Sequence, residues 1–278
     1  MNISVIIPTY NRAHTLGRAL NSVLAQSYPA FEVIVVDDAS TDETADLLTN
    51  YLEVQNVQMA TNRGVSVARN VGIGLARGEW IALLDSDDSW APEKLAMQKI
   101  AAEQEPQIQI LHTDEIWIRN GIRVNPMKKH SKPDGWIYEV SLALCCVSPS
   151  SILMHRSVFE KCGVFDESFP ACEDYDLWLR LFNHYPVRLI DELLVTRYGG
   201  HEDQLSRRHW GMDRFRVRAL SKMLDGDDLE PGARALTNAM LQQKCKILIE
   251  GARKRGKLDS VDAYQSLAKR YAGQADSI

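Results

Sequence analysis

Short hydrophobic runs alternate with amphipathic stretches along the first 105 residues of the chain. Four runs, at residues 3–7, 31–36, 57–60 and 80–84, have the length of strands and are too short for helices. Between them, apolar residues recur at every third or fourth position, as they do on the buried face of a helix. The last of these helices follows Pro92 and ends near Glu105. The alternation predicts an α/β fold with a mostly parallel sheet that helices cover.

The pattern changes after residue 108. Residues 115–119 and 122–124 are separated by Asn120-Gly121, which predicts a β-hairpin with a tight turn. The basic stretch 125–136, broken by prolines and glycine, predicts a mobile loop. Further strands are predicted at 108–111, 151–154, 187–190 and 193–198, a helical turn at 158–162 and a helix at 173–184, with Leu177, Trp178 and Leu181 on its buried side. Three helices, at about 204–224, 230–255 and 260–271, complete the chain.

Length and composition set broad limits. A chain of 278 residues with 45% hydrophobic and 25% charged residues is ordinary for one large or two small globular domains. Its net charge of -5 gives no indication of a nucleic-acid partner. No apolar run reaches the roughly 18–20 residues that cross a bilayer, and the first strand lacks the basic flank of a signal peptide. Five cysteines without zinc or C-x-x-C spacing are expected to be reduced thiols in a cytoplasmic protein.

Acidic residues follow two of the predicted strands. Asp37-Asp38 ends the second strand, and Asp85-Ser86-Asp87 ends the fourth. The carboxyl ends of strands are where open α/β sheets bind ligands. An Asp after the second strand suits a base N–H or a ribose hydroxyl. Crowded carboxylates need a compensating cation, and their hard oxygens suit Mg²⁺ or Mn²⁺. The alternative is an acidic surface turn that caps the next helix, and Asp-x-Asp by itself does not decide between the two.

Several motifs occur in the order and spacing of one enzyme family. They are Val5-Ile6-Ile7-Pro8-Thr9-Tyr10-Asn11-Arg12, Val35-Val36-Asp37-Asp38-Ala39-Ser40, Asn62-Arg63-Gly64 with Ala68-Arg69-Asn70, Leu84-Asp85-Ser86-Asp87-Asp88, and Glu173-Asp174-Tyr175-Asp176-Leu177-Trp178. Together they resemble the motifs of inverting family 2 glycosyltransferases. The resemblance is dense over residues 3–115, good over 150–206 and absent beyond about 222. It implies the GT-A fold, a nucleotide-sugar donor, a divalent cation (Mn²⁺ or Mg²⁺) and inversion at the anomeric carbon.

The resemblance implies donor contacts residue by residue. Pro8, Thr9 and Asp38, with Tyr10 beside them, match the uracil side of the donor site, and Asp37 matches the ribose region. Arg63 and Arg69 match a base or diphosphate contact. Asp85 is expected to face ribose or metal, with Ser86 beside it, and Asp87 to bind the metal that bridges the diphosphate. The simpler interpretation of Asp37 and Asp38 is that they cap the following helix.

The acceptor side rests on the last motif. Glu173-Asp174 matches the family's base motif, in which Asp174 takes the proton of the acceptor hydroxyl and Glu173 orients the acceptor. Asp176 is expected to point elsewhere and to tolerate asparagine. His201 matches a histidine that meets the metal or diphosphate, although an exposed loop histidine is an equal alternative. The resemblance implies a core at 1–205, with a nucleotide-binding half at 1–115 and an acceptor-binding half at 116–205, and a helical extension at 206–278.

Two rival functions follow from the same residues. A related nucleotidyltransferase would carry a glycine-rich loop with Arg and Lys after the first strand, which this chain lacks. A non-catalytic sugar-binding protein of the same fold would be expected to lose Asp87 or Asp174. The preferred function is transfer from a UDP-sugar to a glycan or lipid-linked acceptor. The arginines at 207, 208, 214, 216 and 218 either form a solvated helix face or attract a membrane surface, which would allow peripheral contact at the inner face of the membrane. The identity of the sugar and acceptor and the oligomeric state are left open.

Overall fold

The computed structural model describes residues 1–125, 131–200, 209 and 211–272. The strands are β1 (Ile3–Thr9), β2 (Glu32–Asp37), β3 (Gln55–Gln58), β4 (Trp80–Leu83), β5 (Ser89–Trp90), β6 (Ile110–Arg119), β7 (Ile122–Val124), β8 (Leu153–His155) and β9 (Arg188–Gly199). The helices are α1 (Ala13–Leu24), α2 (Thr44–Leu48), α3 (Val65–Leu75), α4 (Lys94–Gln104), α5 (Tyr138–Ala143), α6 (Ser157–Cys162), α7 (Glu173–Phe182), α8 (Asp213–Asp225), α9 (Pro231–Lys254) and α10 (Leu258–Ala272). The α/β fold is confirmed.

One mixed sheet organises the molecule, with strand order β3-β2-β1-β4-β8-β6-β9-β5 and β7 paired to β6. Strands β1 to β4 are parallel to one another, as predicted. Strand β8 runs antiparallel to both β4 and β6, and β6 is parallel to β9. Strands β1, β2, β4, β6 and β9 therefore all end at the same edge of the sheet. That edge is where open α/β sheets place their ligands.

The second half of the chain departs from the prediction in detail. Residues 108–119 were expected to hold two strands, but β6 is a single strand that pairs with β9 through two register shifts. Strand β9 likewise replaces two predicted strands, because Asp191-Glu192 lies between the paired residues Ile190 and Leu193 and bulges without ending the strand. The two-residue strand β5 and the short helix α5 were not predicted. The β6–β7 hairpin is confirmed, with positive φ at Asn120 and Gly121.

Helix α3 packs closely on β1, and this fixes the position of Arg69. Gly72 allows the approach, because a Cβ there would overlap the side chain of Ile6. The buried face of α7 carries Leu177, Trp178 and Leu181, as predicted. The same hydrophobic core includes Leu220 of α8 and Leu241 of α9. Helix α8 packs against α7, and α9 packs against α8, α5 and α10, while the division of the chain at residue 205 remains a prediction. No helix in the described ranges combines the length and hydrophobicity needed to cross a bilayer.

Candidate active site

A cavity of about 780 Å³ lies at the carboxyl edge of the sheet. The ends of β1 and β4, the N-terminal loop of α3, the loop before α7 and the end of β9 all line it. The predicted site residues on its wall are Pro8, Thr9, Tyr10, Asp38, Arg63, Arg69, Asp85, Ser86, Asp87, Glu173 and Asp174. Motifs separated by more than 150 residues in sequence therefore meet at one site. Asp37 is not part of this wall, and His201 lies outside the described residues.

Asp38 holds the loop that leads into α3. Its two carboxylate oxygens accept hydrogen bonds from the backbone N–H groups of Arg63, at 2.8 Å, and Gly64, at 2.7 Å. Burial raises the pKa of Asp38, while these two hydrogen bonds oppose the increase. An ionised carboxylate has about four acceptor positions, so Asp38 retains capacity for a ligand N–H. Its capping function and the predicted base contact are therefore compatible.

Asp37 occupies a different position from the one expected. It is buried, and its Oδ1 accepts hydrogen bonds from the backbone N–H (2.9 Å) and the hydroxyl (2.5 Å) of Ser40. Ser40 in turn accepts the N–H of Asn11, whose left-handed backbone (φ 52°) turns the chain after β1. Asp37 thus joins the loops after β1 and β2 from below the cavity. Its predicted contact with the ribose remains a prediction.

The three carboxylates of the acidic turn after β4 differ in how deeply they are buried. Asp88 is buried and accepts hydrogen bonds from the hydroxyl of Ser150, at 2.6 Å, and the N–H of Tyr198, at 3.1 Å. Burial raises the pKa of Asp88 well above its ordinary value, although Arg197 opposes this. Asp85 and Asp87 are only partly buried and face the cavity, with Ser86 between them. Asp88 therefore holds the turn in place, whereas Asp85 and Asp87 are available to a ligand.

Arg69 connects the two halves of the site. Its guanidinium donates to Oδ1 of Asp85 and to Oε1 of Glu173, both at 2.8 Å, and its side chain is only 4% exposed. Burial disfavours its charge, but the two carboxylates raise the pKa of Arg69 above its ordinary value. The planar fork of a guanidinium suits two acceptors at once. In this structure Arg69 fixes the distance between the acidic turn and the N-terminus of α7.

The N-terminus of α7 presents two acids that differ in environment. Glu173 is buried, and burial together with Asp174 raises its pKa while Arg69 opposes the shift. Asp174 is less buried, lines the cavity and accepts the N–H of Tyr175 at 2.7 Å. Cys172, just before α7, adopts a left-handed backbone with φ 60°, which is unusual for a residue with a side chain. Strained positions of this kind cluster at functional sites.

Two residues near Asp174 make contacts that the sequence analysis did not anticipate. Cys145 lies with its Sγ 3.3 Å from Oδ2 of Asp174, and burial keeps the pKa of its thiol well above the ordinary value. Asp176 does point away from the cavity, as expected. However, it is buried and accepts hydrogen bonds from Arg180, at 2.8 Å, and Lys222, at 3.1 Å. Because this carboxylate joins α7 to α8, we now predict that asparagine at 176 destabilises the protein, contrary to the expectation from sequence.

Sequence reasoning missed a buried ionic cluster beside the cavity. Glu115 on β6 is 1% exposed and accepts hydrogen bonds from Ser148, at 2.5 Å, and Trp117, at 2.7 Å. Lys132 lies 3.0 Å and Arg197 3.3 Å from the same carboxylate. Burial disfavours its charge, but Lys132 and Arg197 lower the pKa of Glu115 to about 2. The register of β6 against β9 brings Glu115 near Arg197, and Lys132 and Ser148 reach Glu115 from separate segments, so no local motif could indicate the cluster.

The donor atoms of the site fit a divalent cation that a substrate helps to hold. Mg²⁺ is commonly bound through one or two carboxylates plus substrate phosphates. Asp85 and Asp87 supply two such carboxylates at the cavity, and Asp85 uses only Oδ1 for Arg69. Within the described residues, no group of three His, Cys, Asp or Glu side chains could hold a metal ion alone. The protein side of the site is thus suited to a metal–diphosphate complex.

The comparisons with known proteins agree with this geometry. The sequence model of glycosyl transferase family 2 matches residues 4–163, more than half of the chain. The chain belongs to glycosyl transferase family 2. An uncharacterized glycosyltransferase of Rickettsia conorii is 32% identical over 222 residues, which is 74% of this chain and 35% of that protein. The UDP-Glc:alpha-D-GlcNAc-diphosphoundecaprenol beta-1,3-glucosyltransferase WfgD of Escherichia coli is 31% identical over 68% of this chain and 73% of its own length. The chain therefore spans only about a third of the Rickettsia protein but most of WfgD.

Two solved glycosyltransferase structures share the fold. The S. aureus TarS fragment 1-349 in complex with UDP-GlcNAc superposes with a TM-score of 0.75 at 22% identity, covering 96% of this chain and 82% of TarS. The mannosyltransferase PcManGT from Pyrobaculum calidifontis, in complex with GDP-Man and Mn²⁺, gives a TM-score of 0.62 at 19% identity and covers 97% of this chain and 80% of PcManGT. The predicted GT-A fold and family are confirmed.

Proposed function

We propose that this protein transfers a sugar from a UDP-sugar to a hydroxyl of a lipid-linked glycan, with inversion at the anomeric carbon. One observation supports this above the others: Arg69 joins Asp85 of the acidic turn to Glu173 beside Asp174 within one cavity. A transferase must hold the leaving diphosphate and the attacking hydroxyl on opposite sides of one carbon. The arrangement supplies separate acids for these two tasks.

Each task falls to particular residues in this proposal. Thr9, Tyr10 and Asp38 line the part of the cavity assigned to the base, with Arg63 beside it. Asp85 and Asp87 hold Mn²⁺ or Mg²⁺, which supplies Lewis-acid stabilisation to the leaving diphosphate when it is bound. The acceptor oxygen bonds to the anomeric carbon as the bond from that carbon to the diphosphate oxygen breaks. The electron pair leaves with UDP, and the hydroxyl proton passes to Asp174.

Asp174 suits the base better than Glu173 does. Asp174 lines the cavity and is only partly buried, and each of its oxygens retains an acceptor position beside its bond to Tyr175 N–H or to Cys145 Sγ, so it can meet an acceptor hydroxyl. The Oε1 atom of Glu173 is instead held by Arg69 inside the protein. Glu173 therefore orients the N-terminus of α7 and, through it, the acceptor.

The donor and acceptor classes come from the relatives. WfgD is named as a glucosyltransferase that uses UDP-Glc and a GlcNAc-diphosphate lipid, and TarS was solved with UDP-GlcNAc. An acceptor on a lipid lies at a membrane surface, so the proposal includes peripheral contact with that surface. GDP-Man, the donor in the PcManGT structure, is the natural competitor to test.

A transfer assay tests the proposal. The protein is incubated with Mn²⁺, a synthetic GlcNAc-diphosphate lipid and, in turn, UDP-Glc, UDP-GlcNAc, UDP-Gal and GDP-Man. We expect turnover with a UDP-sugar and, by NMR, a β-linked product from the α-configured donor. A product of retained configuration would contradict the mechanism. Binding of UDP-sugars without any transfer or hydrolysis would favour the non-catalytic alternative.

A further inference from the structure

A second, smaller pocket adjoins the main cavity at the ends of β6 and β9. Its volume is about 100 Å³, and Trp117, Ile118, Arg119, Arg197, Tyr198 and Gly199 line it. Arg197 and Tyr198 line the main cavity as well. About 10–15 Å³ of such volume is enough to hold one water, so the pocket can hold a group the size of a phosphate. A ligand in the main cavity can extend into it past Arg197.

The two spaces differ in charge. Seven carboxylate residues line the main cavity among the described residues: Asp38, Asp85, Asp87, Asp88, Glu167, Glu173 and Asp174. No carboxylate from the described part of the chain lines the small pocket, whereas two arginines do. The parallel pairing of β6 and β9 places Arg119 opposite Gly199, two residues beyond the pair Trp117–Arg197. Arg119 and Arg197 therefore extend from neighbouring strands toward one small space.

The guanidinium of Arg197 is fixed from behind. Glu115, which belongs to neither cavity wall, holds Arg197 at 3.3 Å and Lys132 at 3.0 Å. Asp88 also faces Arg197, with its Oδ2 3.9 Å from Nε, so two carboxylates orient this guanidinium while Lys132 offsets part of the charge of Glu115. A buried, hydrogen-bonded acid that orients an arginine prepares an anion site, because the guanidinium is already oriented before the ligand binds.

We infer that the pocket formed by Arg119 and Arg197 binds a phosphate group of the acceptor. The assignment of this phosphate to the acceptor rests on the proposed function, in which the donor diphosphate binds with a cation at Asp85 and Asp87. In a GlcNAc-diphosphate lipid, the acceptor named for WfgD, the diphosphate is bonded to the sugar that receives the transfer. With that sugar in the main cavity near Asp174, the adjoining pocket is the available place for the anion.

Two measurements test the pocket, both with Arg119→Gln and with Arg123→Gln as the matched control. Arg123 is an exposed arginine on β7 of the same hairpin, outside the pocket lining. The first measurement is calorimetry with inorganic pyrophosphate in EDTA, which removes the metal-dependent donor site. We expect wild type and Arg123→Gln to bind alike and Arg119→Gln to bind about tenfold more weakly, a change of about 1.4 kcal/mol. If wild type binds no pyrophosphate, or if Arg119→Gln binds it equally, the inference is wrong, whether or not the protein transfers sugar.

The second measurement identifies the source of the phosphate. KM is compared for GlcNAc on a diphosphate lipid and for GlcNAc as a neutral alkyl glycoside, at saturating UDP-sugar. We expect Arg119→Gln to raise KM about tenfold for the diphosphate acceptor only, with KM for the donor unchanged. An equal increase for both acceptors would make Arg119 a contact to the sugar or to the fold. An increased donor KM would assign the pocket to the nucleotide instead, and either result overturns the inference.

Discussion

Replacement of Arg69 by methionine is expected to destabilise the folded protein strongly. Arg69 and Glu173 are 4% and 6% exposed, so loss of the cation leaves a buried carboxylate without its partner. Removing one member of a buried ion pair costs about 3–5 kcal/mol, and we expect a decrease of that size in the free energy of unfolding at pH 8. The cost falls mainly on Glu173, because Asp85 is 27% exposed and can be hydrated.

The loss should depend on pH in a defined direction. Burial already raises the pKa of Glu173, and Arg69 opposes that increase, so the methionine variant raises the pKa further. A carboxyl whose pKa is higher in the folded than in the unfolded state binds more protons when folded. The loss of stability in Arg69→Met is therefore largest above the pKa of Glu173 in the folded protein. It shrinks as pH falls toward the ordinary pKa of 4.5. Urea unfolding of both proteins at pH 8 and pH 5 measures it.

A second change separates charge from packing. Glu173→Gln added to Arg69→Met removes the unpaired charge, and we expect it to restore at least half of the lost stability. Arg63→Met is the matched control, because the Arg63–Glu167 pair is 57% and 44% exposed and should contribute less than about 1 kcal/mol. If Arg69→Met costs no more than Arg63→Met, or if Glu173→Gln gives no recovery, the buried bridge does not hold the two halves together.

Three further predictions concern other residues. Asp87→Ala should weaken UDP binding in Mn²⁺ at least tenfold in calorimetry, whereas the exposed control Asp191→Ala should leave it unchanged. EDTA should weaken UDP binding to wild type, and equal wild-type affinity in EDTA would exclude a metal role. Asp176→Asn should lower the free energy of unfolding by about 1.5–3 kcal/mol, because it removes the charged acceptor of Arg180 and Lys222, and a loss below 0.5 kcal/mol in urea would contradict this. Burial lowers the pKa of His112 to about 4, so the unfolded protein binds more protons than the folded protein between that value and 6.5. The free energy of unfolding of wild type should therefore fall by about 2 kcal/mol relative to that of His112→Gln between pH 7 and pH 5. Parallel pH profiles of stability would refute this.

The sequence predicts the first half of the site well, because its information is local. Each of Thr9, Asp38 and Asp85 directly follows a hydrophobic strand, and parallel strands end at one edge. The sequence alternative, that Asp38 caps the helix following it, did not anticipate its actual bonds, which go to the loop at Arg63 and Gly64 before α3. Hydrophobic spacing identifies the buried side of α7.

The remainder depends on pairing across long sequence distances. Arg69 meets Glu173 over 104 residues, and neither motif indicates the other as its partner. Glu115 and Arg197 meet only through the shifted register of β6 and β9. Asp191-Glu192 resembles a turn, because two adjacent acids interrupt the apolar pattern, yet β9 continues through them. Periodicity alone cannot distinguish a bulge from a strand end.

Turnover of Asp174→Asn tests the central claim most directly. The variant is measured with the UDP-sugar and lipid-linked acceptor that wild type uses, together with the affinity for the donor and with Glu173→Gln as comparison. If Asp174 takes the acceptor proton, kcat falls about 10²–10⁴-fold while donor affinity is unchanged, and Glu173→Gln is milder. Near wild-type turnover of Asp174→Asn would contradict the account, and loss of activity in Glu173→Gln alone would assign the base to Glu173.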